Sequence, residues 1–223
     1  MKIVLSWSSG KDSAWALHRL RQTHPGAVAG LLTTVNESAG RVAMHAVREE
    51  LLMAQAEGAG LPLHVVRIPS PCPNEVYAER MGDFVRTAAA DGFTHVAFGD
   101  LFLEDVRRYR EDNLRGSGLE PMFPLWGEPT ARLAEEMIAG GLRGYLTCVD
   151  PRKLDRAFAG RAFDRALLAE LPPSVDPCGE NGEFHSFVCA GPMFTQPIAV
   201  EPGVVVEREG FVFADLQQRR ELA

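Results

Sequence analysis

Through the first half of the chain, short apolar runs alternate with stretches in which apolar residues recur every three or four positions. Residues 3–5, 28–35, 63–68 and 95–99 are short, rich in Val, Ile and Leu, and bounded by Gly, Pro or polar residues, which predicts strands. Between them lie helical patterns. An amphipathic helix opens after the first run; in the next, Ala43, Val47, Leu51 and Ala54 form one stripe that ends at 58–62; a third spans 75–90 and stops before Asp91-Gly92. Strands with intervening helices predict an α/β fold: a doubly wound parallel sheet of about five strands, covered on both faces, with ligands beyond the carboxyl ends of the strands. Residues 123–126 are expected to form its short final strand. The pattern then changes to a helix at 130–139, an apolar run at 145–149, a helix at 163–171 broken by Pro172-Pro173, and strands and turns to the end. This predicts a smaller C-terminal α+β domain, with units 1–127 and 128–223.

Composition narrows the function classes. Hydrophobic residues make up 46% and charged residues 24% of 223 positions, as in an ordinary globular protein. A formal net charge of −7 argues against nucleic acid as a partner, because affinity for it rests on phosphate neutralisation. No apolar stretch is long enough for a membrane span. Cys72, Cys148, Cys178 and Cys189 are scattered and form no Cys-x-x-Cys pair, so a zinc cluster or redox centre is not expected. The expectation is a cytoplasmic protein with reduced thiols and no membrane partner.

Ser8-Ser9-Gly10-Lys11-Asp12-Ser13 joins the first strand to the first helix. A helix N-terminus carries unpartnered N–H groups and the positive end of the macrodipole, so anionic oxygens are stabilised there. Gly10 permits close approach, Ser8 and Ser13 can donate hydrogen bonds, and Lys11 supplies a point charge. Asp12 beside a polyphosphate suggests a metal ligand, with Mg²⁺ between acid and phosphate. The bland alternative is a serine-capped helix start with a solvated lysine. The loop is not a Walker A motif, since Leu5 stands where its first glycine belongs and Asp12 follows the lysine. It resembles the pyrophosphate loop Ser-Gly-Gly-Lys-Asp-Ser of the N-type ATP pyrophosphatases, with Ser9 in place of the first glycine. That resemblance implies a Rossmann-like fold, ATP and Mg²⁺, and adenylation of an acceptor oxygen.

The second informative segment is Cys178-Gly179-Glu180-Asn181-Gly182-Glu183-Phe184-His185-Ser186-Phe187-Val188. A turn leads into a strand whose alternation puts Glu183, His185 and Phe187 on one face, with Phe184, Ser186 and Val188 on the other; a strand that buried the second set would present an acid and an imidazole together on one open face. Its acids could be a solvated turn, a metal site of two Glu and one His, or a substrate-recognition loop. The segment resembles the Gly-Glu-x-Gly-Glu-Tyr/Phe-(His/Glu)-(Thr/Ser) signature of the diphthine–ammonia ligase family, a branch of the same pyrophosphatases. Gly99-Asp100 with Glu104 and Arg107, residues 123–126, and Gly191-Pro192-Met193-Phe194 extend the likeness over essentially the whole chain.

The resemblance implies an adenosine site at Thr33, Thr34 and Asn36, and phosphate or Mg²⁺ contacts at Gly99 and Asp100. It implies acceptor contacts at Glu104, Arg107, Glu180, Gly182, Glu183 and Phe184, with the acids and aromatic faces, Phe187 included, receiving a quaternary ammonium. Lys11, Asp12, Asp100, Glu183 and His185 are the candidate catalytic residues, His185 either moving a proton from ammonium or orienting by hydrogen bonds. Spacing places Asp100, Glu104 and Arg107 on one face, where an ordinary salt-bridged helix is the competing reading. His45 and Arg48 are candidates to reach phosphate or a solvated face. Arg108, Arg110 and Arg115 read as solvated or paired, His18, His24 and His64 as structural, and Cys178 as a structural thiol. The implied function is an ATP-dependent ligase that adenylates a carboxylate and amidates it with ammonia. The acceptor carboxylate would lie on a modified protein residue, the modified histidine of elongation factor 2. Rival readings are a small metabolite acceptor, as in corrinoid metabolism, a tRNA sulfur-transfer enzyme, and a non-catalytic ATP sensor. A homo-oligomer stays open.

Overall fold

The computed structural model describes residues 1–37, 41–42 and 47–219. The strands run β1 (Ile3–Ser6), β2 (Val28–Asn36), β3 (Arg41–Val42), β4 (Leu63–Ile68), β5 (His95–Ala97) and β6 (Glu120–Met122) in the first sheet. β1, β2, β4, β5 and β6 are parallel in the spatial order β4-β2-β1-β5-β6, and β3 adds a short antiparallel pairing at the end of β2. This is the doubly wound sheet expected from the alternating pattern. Helices α1 (Lys11–Thr23), α2 (Glu49–Ala59), α3 (Asn74–Ala90) and α4 (Glu104–Leu114) connect the strands.

Two expectations shift. The last strand of this sheet is β6, upstream of 123–126, which forms a turn. α2 starts at Glu49, and its buried stripe is Leu51, Leu52, Gln55, Ala56 and Ala59, so Ala54 lies beside the stripe and Val47 packs ahead of the helix. Ala43 lies outside the described residues.

The C-terminal part follows α5 (Thr130–Ala139). It is a four-stranded antiparallel sheet of β7 (Arg143–Val149), β8 (Phe184–Ala190), β9 (Val200–Arg208) and β10 (Phe211–Gln218), ordered β8-β7-β10-β9, with the short helix α6 (Arg165–Glu170) between β7 and β8. A continuous apolar core runs from Ile3 and Leu5 through Trp7, Leu51 and Leu133 to Leu146, Phe184 and Phe187. The two sheets are therefore packed as one body. Arg48 reaches across to Asp215 on β10, Nη2 to Oδ2 at 2.6 Å, and Arg21 donates to the Met193 carbonyl at 2.8 Å. Phe194 packs edge-on to Trp7 and against Gly58, which gives the 191–194 motif a structural use.

Candidate active site

β1 lies between β2 and β5, and the chain leaves β1 and β5 toward opposite edges of the sheet. Their carboxyl ends thus bound the crevice in which open α/β sheets bind ligands. The loop after β1 carries Ser8 to Gly10, and the loop after β5 carries Gly99 and Asp100. They touch: a Cβ on Gly99 would stand 2.9 Å from the Asp12 carbonyl carbon and 3.0 Å from Ser13 N, so only glycine allows this approach.

The first turn of α1 is built from both parts of the molecule. Ser13 Oγ donates to Gly10 O at 3.0 Å and lies 3.2 Å from Ser8 Oγ. Lys11 N donates to Ser186 Oγ on β8 at 3.1 Å, and Val188 N donates to Ser9 O at 3.0 Å. Gln55, fully buried on α2, donates from Nε2 to Ser9 O at 3.0 Å and to Val188 O at 2.6 Å, while its Oε1 accepts from Trp7 Nε1 at 2.9 Å. Ser9 takes φ 71°, a left-handed conformation that suits the glycine it replaces, and its buried hydroxyl has no hydrogen-bond partner.

Lys11 is buried, with Nζ 2.8 Å from Asp12 Oδ2 and 5.3 Å from the Phe184 ring centroid. Burial works to lower its ammonium, but Asp12, Cys178 and Glu180 together lift it above its usual value, so it remains charged. Asp12 Oδ1 is buried without a hydrogen-bond partner.

Two cavities meet here. One, of about 270 Å³, is walled by the Gly10 to Ser13 turn, Gly99, Asp100, Glu180 and Gly182. The other, of about 420 Å³, runs beneath Thr33, Thr34, Tyr77 and Met81 toward Asn113. Ser6, Ser8, Phe98, Arg110 and His185 line both. Thr33 is buried with its hydroxyl unpartnered against the larger cavity.

The acidic segment and the strand it leads into pack directly on the Ser8 to Ser13 loop. Glu180 Oε1 accepts from Leu101 N at 2.8 Å and lines the smaller cavity. Burial lifts its carboxyl to about 7, opposed by the Leu101 N–H and aided by Asp12. Glu183 is buried, accepts from Asp176 N at 2.9 Å and Asn181 Nδ2 at 3.3 Å, and lines neither cavity. Phe184 and Phe187 are buried as well, so the expectation of one open face on β8 is corrected: Glu183 and Phe187 from one alternating set and Phe184, Ser186 and Val188 from the other are all buried, while along its two edges β8 pairs with β7 and docks on the β1–α1 loop. Phe184 reaches the smaller cavity with its ring toward Lys11; Phe187 belongs to the core. His185 lines both cavities, and burial followed by the Lys11 charge pushes its pKa down to about 4, leaving a neutral ring at neutral pH.

Comparison with known proteins follows the same two-part layout. The diphthamide synthase N-terminal domain matches residues 1–121 and the diphthamide synthase C-terminal domain matches residues 129–219. The chain belongs to the diphthine–ammonia ligase family. It is similar to the diphthine–ammonia ligase of Bos taurus, 28% identical over 181 residues covering 74% of this chain and 67% of that protein. It is likewise similar to that of Rattus norvegicus, 26% identical over 242 residues covering 99% and 90%. It is therefore an enzyme of that ligase family.

Within this family member, several expected site residues stand elsewhere. Glu104 is exposed at the start of α4, and Arg107 bonds Glu111 at 2.8 Å with its guanidinium 4.8 Å from Phe123 and 4.7 Å from Trp126; neither residue lines either of these two cavities. Arg48 is engaged by Asp215, and His45 lies outside the described residues. Cys178 is buried beside the smaller cavity, and burial raises its thiol far above its usual value, which makes it a structural thiol.

One residue was underread from the sequence and one escaped it. Arg110, expected to be solvated or paired, does pair with Asp100 but also lines both cavities; its position three residues after Arg107 was the only signal of that. Gln55 could have been found as the one polar residue inside the Leu51, Leu52, Ala56, Ala59 stripe.

Proposed function

We propose that this chain is an ATP-dependent ligase that amidates the carboxylate of diphthine, the acceptor named in its relatives, through an acyl-adenylate. One observation carries the reading: a polyphosphate-sized cavity at a helix N-terminus opens into a larger, mostly apolar one at Ser8, Arg110 and His185. The adenosine lies in the larger cavity against Thr33 and Thr34, and the β- and γ-phosphates lie on Ser8 to Ser13. The acceptor enters past Glu180 and Gly182.

In the first step an acceptor carboxylate oxygen attacks the α-phosphorus and the bond to the β-phosphate breaks. Lys11 and the first-turn amides of α1 stabilise the charge on departing pyrophosphate. His185, neutral, orients the α-phosphoryl group by hydrogen bonding and does not supply a proton. In the second step ammonia forms the C–N bond, AMP departs with the C–O bond's electrons, and Glu180 takes the proton lost from nitrogen, a task its pKa of about 7 suits.

Mg²⁺ fits the donor set in one way. Asp12 Oδ1 is an unpartnered buried oxygen, whereas among the described residues no group of three or more His, Cys, Asp or Glu could hold a metal. One carboxylate completed by phosphate oxygens and water is a usual Mg²⁺ environment, and the ion would supply charge neutralisation of the polyphosphate. We place the junction of the two functional units at 127/128, where Gly127 takes φ 76° and donates to Leu101 O at 2.8 Å. Four cysteines without a disulfide support a cytoplasmic setting.

The test is exchange of labelled pyrophosphate into ATP, with and without a diphthine-bearing protein. Exchange that requires the acceptor, followed by amide formation on adding ammonium, is expected. ATP binding without acceptor-dependent exchange would overturn the reading.

A further inference from the structure

Arg110 stands at the junction of the two cavities with its charge incompletely used. Its Nε is buried and has no hydrogen-bond partner; Asp100 Oδ2, 3.5 Å away, is buried and lacks one too. The pair attracts but closes no hydrogen bond, an arrangement that leaves a buried donor and a buried acceptor both unsatisfied. The guanidinium lies 5.0 Å from the Phe98 ring centroid, and Phe98 is stacked on Phe123 at 5.6 Å, so the fork rests against a pair of stacked rings. Lys11, the other cation of the smaller cavity, is committed to Asp12 and does not line the larger one.

We propose that Arg110 binds the phosphoryl group attached to the nucleoside, the one that must straddle the two cavities, and holds it as AMP leaves. The assignment rests on the ligase reading above. A planar fork matches two oxygens of a phosphoryl group, and moving from Asp100 to phosphate would satisfy the buried Nε. Since the larger cavity receives Arg110 and not Lys11, the charge contributed there belongs to the AMP end of ATP.

The experiment measures calorimetric affinities for adenosine, AMP and ATP in wild type, Arg110→Gln and Arg110→Lys, with thermal melting to establish folding. Arg110→Gln is expected to lose AMP affinity by about tenfold or more while adenosine affinity stays within about twofold, and Arg110→Lys to recover part of the loss. A purely structural role would lower both affinities together and would overturn the assignment, as would AMP affinity equal to wild type in both variants. If the wild type binds none of the three ligands, the ligase reading falls and the assignment with it; if it binds ATP and AMP and the variants do likewise, only the assignment falls.

Discussion

The Val188 N–H donates to the Ser9 carbonyl oxygen at 3.0 Å, so the outer edge of the C-terminal sheet is completed by the loop that opens α1. Gln55 closes the same contact by donating to both Ser9 O and Val188 O. Gln55→Leu would leave two buried carbonyls short of a donor and Trp7 Nε1 without an acceptor. A loss of roughly 2–4 kcal/mol is expected. Gln55→Glu keeps an acceptor for Trp7 but sets a carboxylate against two carbonyls, and should be at least as damaging. Urea unfolding together with ATP calorimetry checks this: stability and affinity should fall together, because the contact shapes the loop. An unchanged unfolding midpoint would refute it.

Ser9 stores strain that a glycine would release. Its φ of 71° disfavours a side chain, and its hydroxyl is buried without a partner. Ser9→Gly is expected to stabilise by about 1 kcal/mol, the relief of conformation and hydroxyl exceeding the added unfolded-state entropy. Ser9→Ala removes the hydroxyl alone and should give a smaller gain. Thermal melts of the two variants separate the contributions, and a Ser9→Gly protein less stable than wild type would refute the strain account.

Periodicity made the parallel sheet legible, since β1, β2, β4 and β5 are short, mainly apolar runs between amphipathic helices, and Gly99 at a strand end pointed to the crevice. What stayed hidden depends on contacts between distant segments. Alternation along β8 suggested one open face, but the strand docks on Ser9 and Lys11 with residues of both alternating sets buried, Glu183 and Phe187 as well as Phe184, Ser186 and Val188, so it shows no simple period. The same docking buries Glu183, whose sequence neighbours gave it the look of a recognition acid. Asp100, Glu104 and Arg107 were correctly spaced for one helix face, yet Asp100 precedes α4 and meets Arg110. Arg107 is taken instead by Phe123 and Trp126, a partnership that neither helical spacing nor charge pattern encodes.

Two half-buried groups should give stability opposite slopes with pH. His185 has its pKa pushed from 6.5 down to about 4, so its contribution is fully present above 6.5 and is lost as pH falls through 4. Glu180 is lifted from 4.5 to about 7, so its contribution is present below 4.5 and is lost as pH rises through 7. His185→Gln should remove a rise in stability between pH 4 and 6.5, and Glu180→Gln a fall between 4.5 and 7. Denaturant midpoints across this range provide the measurement. A curve for either variant parallel to wild type would contradict the corresponding assignment.

Lys11 should matter to both catalysis and folding, unlike an exposed loop lysine. It is 2% exposed and bound to Asp12 at 2.8 Å, so Lys11→Met removes the charge offered to pyrophosphate and also strands a buried carboxylate. Acceptor-dependent pyrophosphate exchange is expected to fall tenfold or more, corresponding to loss of a charge-assisted contact of about 1.5–3 kcal/mol. Burial lifts the Asp12 carboxyl and Lys11 opposes that lift, so without the lysine the acid's pKa rises further. A raised folded pKa means stability is retained at low pH and lost as pH rises through it. Lys11→Met should therefore be nearest to wild type in acid and fall behind toward neutrality. Adding Asp12→Asn removes the stranded charge, which should restore stability without restoring exchange. If the double variant is no more stable at neutral pH than Lys11→Met, the ion pair is not what holds this turn; if Lys11→Met exchanges pyrophosphate at the wild-type rate, Lys11 does not serve the leaving group.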